Sequence, residues 1–328
     1  MTTPSFTLIR PGWGPPPARP VAHGPLRDIA LALREARPVV QVVFLLRLLS
    51  GAALSGPCTF ARVGHVLGTA GIWECAVVFV YLFNGATDVV EDTINVTGRP
   101  ISTGELPADV ARAMAYGFGL VALAGAALNP AVLGPVAAML VLGYLYSGQP
   151  FRLKRYPGTS FLVAGLGGVV TYYAGAAADG AAGPSAAVIV LASFMSLWMG
   201  AVGTTTKDLP DIAGDAAAGR RSLAIRLGER RVRIGIAVLA VLLGVAFVAT
   251  CLGLAGGSVL TTHDLAALLP AASGLLVGAA VLGVAAVRPA PGTDRHSRRR
   301  PYRIFMATQL GAHGTVLLST GVAAILAA

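Results

Sequence analysis

Crossing the hydrocarbon of a bilayer as a helix takes about 20 apolar residues. Nine stretches of that order occur in this chain, at roughly 38–56, 67–88, 109–127, 131–147, 159–178, 185–205, 232–254, 265–287 and 304–327. Lipid offers no water to an unpaired backbone N–H or C=O, so each stretch must close its own hydrogen bonds as a helix. The expected fold is therefore an all-α membrane protein with nine transmembrane helices. Only Asn129-Pro130 divides the third stretch from the fourth. Charged residues make up 12% of the chain and its mean hydropathy is +0.71. Soluble domains carry about 25% charge, so an ordinary soluble domain is excluded.

The charges set the orientation. Residues 1–25 are rich in proline and lack an apolar core, which predicts a disordered tail rather than a signal peptide. Residues 26–37 alternate as an amphipathic helix lying on the membrane surface. With the N-terminus inside, 23 of the 25 Lys and Arg residues fall in the tail or in loops on that same side, leaving only Arg47 and Arg62 elsewhere. That asymmetry predicts a cytoplasmic N-terminus. It also accounts for the net charge of +10 without nucleic acid as a partner. The basic run at 295–303 then reads as a topogenic, lipid-contacting loop. Arginine outnumbers lysine 23 to 2, which points to a GC-rich bacterial genome and hence to a bacterial cytoplasmic membrane. Cys58, Cys75 and Cys251 are scattered and odd in number, so they are read as buried thiols rather than disulfides or zinc ligands.

Six of the fifteen acidic residues fall in two short segments, Asn84-Gly-Ala-Thr-Asp88-Val-Val-Glu91-Asp92 and Lys207-Asp208-Leu-Pro-Asp211-Ile-Ala-Gly-Asp215. Each lies at the predicted cytoplasmic end of an apolar stretch, where desolvating a carboxylate is costly. Asn84, Asp88 and Asp92 are spaced i, i+4, i+8. On a continuous helix they drift about 80° and climb about 12 Å, so all three present oxygen to one face. Tyr81 lies on that side one turn deeper. Lys207, Asp211 and Asp215 repeat the spacing, with Asp208 beside them and Pro210 starting or kinking a helix. The segments end spans two and six, which suggests a duplicated helical unit whose copies face each other across one cavity. Magnesium takes hard oxygen ligands, usually carboxylates with phosphate oxygens and water. Two facing acid rows would repel each other unless two or more such cations and a diphosphate lay between them. The plainer alternative pairs the acids only with Arg99, Arg220 and Arg221.

These segments resemble the two aspartate-rich motifs of the UbiA superfamily of intramembrane prenyltransferases, N-x-x-x-D-x-x-x-D on helix two and D-x-x-x-D on helix six. Gly98-Arg99-Pro100-Ile-Ser-Thr-Gly104, Tyr146-Ser-Gly-Gln-Pro-Phe-Arg152-Leu-Lys154 and Gly219-Arg-Arg-Ser-Leu-Ala-Ile-Arg-Leu-Gly228 are similar to segments that follow helices two, four and six in that family. The resemblance implies a nine-helix prenyltransferase domain over 38–328. Its central cavity would open to the cytoplasmic side and laterally to membrane lipid. Mg2+ on Asn84, Asp88, Asp92, Asp211 and Asp215 would hold a prenyl diphosphate. Arg99, Arg152, Lys154, Lys207 and Tyr146 would bind its phosphates. Tyr81, Tyr172, Tyr173 or Trp198 would steady the allylic cation, and Asp208 would be a ligand, a supporting group or the base. Many members carry Asp after the motif's Asn, whereas Gly85 stands here, so one oxygen facing the metal is expected to be absent.

The implied reaction is magnesium-dependent prenyl transfer to an aromatic or quinone-precursor acceptor. An intramembrane terpene cyclase and transfer to a lipid or carotenoid acceptor use the same ionisation. Lys207-Asp208-Leu-Pro-Asp211 is closest to members that prenylate homogentisate, chlorophyllide or glycerol-phosphate lipids. A transporter is the reading from another class, and the one-sided clustering of the acids argues against it. Arg47 and Glu74 fall mid-span, where charge is expensive. They are expected either to pair across helices or to leave Arg47 facing the cavity to hold an acidic acceptor. His313 is expected to be a polar packing residue, the alternative being a proton carrier in the cavity.

Overall fold

The computed structural model describes residues 24–56, 59–180, 183–288 and 295–326. The predicted tail up to Gly24, Cys58 and the start of the basic loop before Arg295 lie outside them. Among the described residues there are helices and no strands. The helices are α1 (Pro25–Glu35), α2 (Pro38–Ala53), α3 (Phe60–Thr87), α4 (Val89–Ile94), α5 (Ala108–Ala126), α6 (Pro130–Ser147), α7 (Pro157–Ala176), α8 (Ala186–Leu197), α9 (Thr204–Asp208), α10 (Ile212–Ala217), α11 (Leu223–Leu227), α12 (Glu229–Gly256), α13 (Thr262–Val287), α14 (Arg295–Arg298) and α15 (Arg300–Leu326). A π-helical turn, Trp198–Gly203, joins α8 to α9 in one continuous rod.

Helices stand at all nine predicted positions, and six of the described helices are long and apolar enough to cross a membrane by length and composition. The others are α2, α5 and α15. At 16 residues α2 reaches only about 24 Å, short of a hydrocarbon core of about 30 Å. Proline starts several helices at the position where its missing N–H costs nothing, as Pro38, Pro130 and Pro157 do. Pro130 turns the chain between α5 and α6. Thr59 caps α3, its side chain accepting from Arg62 N at 3.3 Å, so α3 begins well before the predicted 67.

Small residues let the helices approach. Gly51 on α2 and Gly175 on α7 cross so closely that a Cβ on either would strike the other helix's backbone, at Tyr172 and Leu48 respectively. From this crossing α2 also packs on α3 and α15, which joins the first long helix to the last. The outer faces stay apolar, with Val277 64% and Leu318 70% exposed. On the inner side, α2, α3, α6, α7, the π turn, α9 and α15 line one cavity. The predicted surface helix is α1, which buries Leu31, Ala32 and Glu35 and leaves Leu26 and Leu33 exposed.

Candidate active site

Both acid segments are bent rather than straight. Asp88 ends α3 and opens α4 with φ −105° and ψ 19°. Its N–H donates to Asn84 O at 3.0 Å, and its own carbonyl accepts from Asp92 N at 2.8 Å. Asp211 opens α10 with φ −108° and ψ 11°, and its carbonyl accepts from Asp215 N at 3.0 Å. Pro210 lacks the N–H that would carry α9 onward. The first segment does not form the single continuous stripe that the spacing predicts, and the second breaks at Pro210 as expected; Asp92 and Asp215 each take the fourth position of a six-residue helix. The short helices α4 and α10 pack on each other. Asn95, just past α4, accepts from Gly214 N at 3.0 Å, and a Cβ at 214 would strike it.

Every acid of the two segments faces a cation. Asp88 accepts from Lys154, and its second oxygen takes Asn84 Nδ2 at 2.7 Å. Asp92 pairs with Arg99, Glu91 with Arg152 at 3.3 Å, and Asp211 with Arg295 at 2.8 Å. Arg220 holds Asp215 at 2.8 Å and Asp208 at 3.5 Å. Arg221 takes no part, its guanidinium lying over the Tyr156 ring. Lys207 Nζ reaches the Tyr146 hydroxyl at 3.5 Å. Arg295 and Arg298, which pairs with Glu229, are therefore committed to ion pairs, which corrects the reading of their run as a topogenic loop alone.

Burial and pairing compete at these groups. Burial opposes ionisation of Asp88, but Lys154 beside it carries the carboxyl below its usual range. Burial pushes Asp92 up to about 6 despite Arg99. It also raises Asp215, whose Oδ2 is buried without a hydrogen-bond partner while Oδ1 meets Arg220. In turn, Lys154 is lowered by burial, whereas Asp208 and Asp215 lift Arg220 above its ordinary value.

The donor set suits magnesium in kind, since it offers five aspartate carboxylates and one buried oxygen still unsatisfied. Among the described residues, however, no three acidic, His or Cys side chains converge on one point. A divalent ion would enter by exchange with the cations now on these carboxylates.

Beneath the acids lies a cavity of about 130 Å³. Arg37, Asn84, Tyr146 and Lys207 form its rim, and Phe44, Val77, Met139 and Phe305 its walls. Met199 and Gln309 line it near the buried Arg47. That guanidinium is fully buried behind the lining and donates to Gln309 Oε1, to Met195 O at 3.4 Å and to Met199 Sδ at 2.7 Å. Glu74 is not its partner, so the expected ion pair is absent, and Arg47 is not exposed to the cavity either. His313 packs between the Tyr172 hydroxyl at 2.5 Å and Gln309 O at 2.6 Å.

Three predicted cation-stabilising residues are misplaced. Tyr172 is buried beside His313, Trp198 is buried and stacked on Phe305, and Tyr173 is 43% exposed on the outer surface. The aromatic lining is Phe44, Tyr81, Tyr146, Tyr302 and Phe305. Sequence reasoning missed Glu35, Arg37, Arg295 and Gln309. A charge at the buried end of an amphipathic helix was the available signal for Glu35. Arg37 has a left-handed backbone (φ 61°), and its guanidinium lies over the Tyr81 ring.

The sequence profile of the UbiA prenyltransferase family matches residues 44–310. A probable homogentisate phytyltransferase 2 of Oryza sativa subsp. japonica is 33% identical over 169 residues, covering 48% of this chain and 44% of that protein. The digeranylgeranylglyceryl phosphate synthase of Halobacterium salinarum is 34% identical over 207 residues, covering 60% of this chain and 68% of that protein. The chain thus spans under half the length of several curated relatives that it matches. A UbiA homolog from Archaeoglobus fulgidus, solved bound to GPP and Mg2+, has the same fold. It superposes with a TM-score of 0.63 at 20% identity, over 87% of this chain and 99% of that one.

Proposed function

The chain belongs to the UbiA prenyltransferase family, and from that premise we propose that it transfers a prenyl group from an allylic prenyl diphosphate to an aromatic or quinone-precursor acceptor. The allylic C–O bond breaks, diphosphate leaves with the bonding pair, an acceptor carbon bonds to the allylic carbon, and the acceptor gives up a proton. One observation carries this reading. Two acid-bearing breaks are tied together by Asn95 and Gly214 at the mouth of an apolar cavity whose rim is cationic.

Asn84, Asp88, Asp92, Asp211 and Asp215 would hold Mg2+, as two or more ions. When bound, the metal neutralises diphosphate and makes it a better leaving group. Lys154, Arg99 and Arg220 now rest on those same carboxylates. With metal on those acids, these cations would be free to meet phosphate oxygens. Lys207 and Arg37 reach the same place from the rim, Arg152 stands behind on Glu91, and Tyr146 offers its hydroxyl. The apolar walls keep water from the allylic cation, and the ring faces of Phe44, Tyr81 and Phe305 stabilise it. Asp208 shares Arg220 with Asp215, which favours a supporting role over that of base. The membrane-embedded body, with the acids on the cytoplasmic side, follows the distribution of positive charge.

Purified protein given Mg2+, prenyl diphosphates of several lengths and an acceptor panel tests the proposal by mass spectrometry. A prenylated phenol or quinone precursor is the expected product. A cyclic hydrocarbon formed without acceptor would make it a cyclase, and a prenylated glycerophosphate would move the acceptor to a lipid. No turnover with any donor would sink the proposal.

A further inference from the structure

The two halves of the site repeat, the acids 123 positions apart and the glycine and arginine that follow them 121 apart. Asp88 and Asp211 open short helices with matching backbone angles, and Asp92 and Asp215 sit four residues on. A glycine in the left-handed region follows each short helix, Gly98 at φ 67° and Gly219 at φ 71°. The next residue is an arginine that turns back to the short helix's acid, Arg99 to Asp92 and Arg220 to Asp215. In the second half a further carboxylate, Asp208, shares that arginine. By the same register the first half should carry its counterpart at position 85, where the chain has glycine.

The counterpart comes instead from another helix. Glu35, at the end of α1, is fully buried, and its Oε1 accepts from Arg99 Nη1 at 3.3 Å. Its Oε2 accepts from Ile101 N at 3.1 Å. The carboxylate lies directly over Gly85. A Cβ built there would stand 2.5 Å from Oε1 and 3.0 Å from Cδ. An aspartate at 85 would thus place its carboxyl group where Glu35's now lies. A carboxylate therefore stands over Gly85, although the residue at 85 supplies none of its own.

We propose that Glu35 is a positioning residue for the diphosphate site, doing for Arg99 what Asp208 does for Arg220. It acts through Arg99, holding that cation on Asp92 so that both are placed for metal and phosphate. This rests on the reading of the acids as a magnesium-diphosphate site.

The test is affinity for inorganic pyrophosphate in the presence of Mg2+, measured by calorimetry on the purified full chain. Losing a group that orients a metal ligand typically costs about 10- to 100-fold, and Glu35→Ala and Glu35→Gln should each lose that much. Gln keeps an acceptor for Ile101 N–H and nearly the same shape, so a loss there reports charge rather than packing. Gly85→Asp alone should also weaken binding, because its side chain collides with Glu35. The double variant Glu35→Ala/Gly85→Asp should recover most of the affinity. Glu35→Gln binding like the parent, or a double variant no better than Glu35→Ala, would overturn the proposal. If those results came with Asp215→Ala abolishing binding, the site itself would stand. A parent protein that binds no pyrophosphate with Mg2+ would remove both together.

Discussion

Asp88 and Asp211 share one backbone conformation 123 positions apart, φ −105°, ψ 19° and φ −108°, ψ 11°. Asp88 closes α3 and Asp211 follows α9 by three residues, and each starts a six-residue helix. Each also pairs with a cation from a distant segment, Lys154 for Asp88 and Arg295 at the start of α14 for Asp211. The repeat makes the acids equivalent in pairs, and that equivalence shapes what their replacement should do.

Replacing Asp88 or Asp215 by Ala should lower turnover by at least about 100-fold, through lost metal ligation. Membrane expression should persist, because the packing of the long helices does not depend on either side chain. Mass-spectrometric product assays beside quantitative immunoblots check both parts. Parental rates in either variant would remove the metal assignment.

Magnesium should bind less tightly as pH falls. Burial holds Asp92 up to about 6 and raises Asp215 as well. A carboxylate must be deprotonated to ligate, so protons compete with metal once the pH approaches these values. The half-saturating Mg2+ concentration should be flat at alkaline pH and climb as the pH drops through about 6, by at most about tenfold per pH unit for each proton displaced. Magnesium titrations at several pH values measure this directly, and a flat profile would contradict the assignment.

Gly167 lines the cavity facing Met139, and a Cβ there would meet Met139 Sδ at an ordinary 3.8 Å. Gly167→Leu should therefore fill part of the cavity without breaking the fold. Turnover with a long donor, such as geranylgeranyl diphosphate, should fall more than with dimethylallyl diphosphate. Competition between the two donors reads the ratio, and equal losses would place the prenyl tail elsewhere.

Gly175→Val should act on stability alone. Its side chain would strike the backbone of Leu48 at the α2–α7 crossing. Overpacking of this kind costs about 1–3 kcal/mol, seen as a lower thermal midpoint of the purified protein. An unchanged midpoint would mean that the two helices are not packed so closely.

Much of the architecture could be read directly from composition. Apolar runs must be helices because lipid satisfies no backbone group, and helices stand at all nine predicted places. The i, i+4, i+8 spacing marked the acids and Pro210 signalled the break before Asp211, but nothing along the chain revealed the bend at Asp88. Nor did it reveal that α4 docks on α10 through Asn95 and Gly214, a contact between residues 119 positions apart. Counting residues placed Arg47 and Glu74 at similar depth and so suggested a pair. Depth along a helix says nothing of direction around it, and Arg47 turns toward Gln309 on α15. Tyr172 and Tyr173 differ by about 100° around α7. Packing alone sends one inward to His313 and the other outward.

The chain's own order of residues thus determined that it is helical, suited to a membrane, and acidic at two equivalent places, because local hydrogen bonding and hydropathy act within a segment. Which cation each carboxylate meets, which rings line the cavity, and that Glu35 fills the space over Gly85 were decided only when distant helices packed. Those contacts join groups that no periodicity along the chain connects.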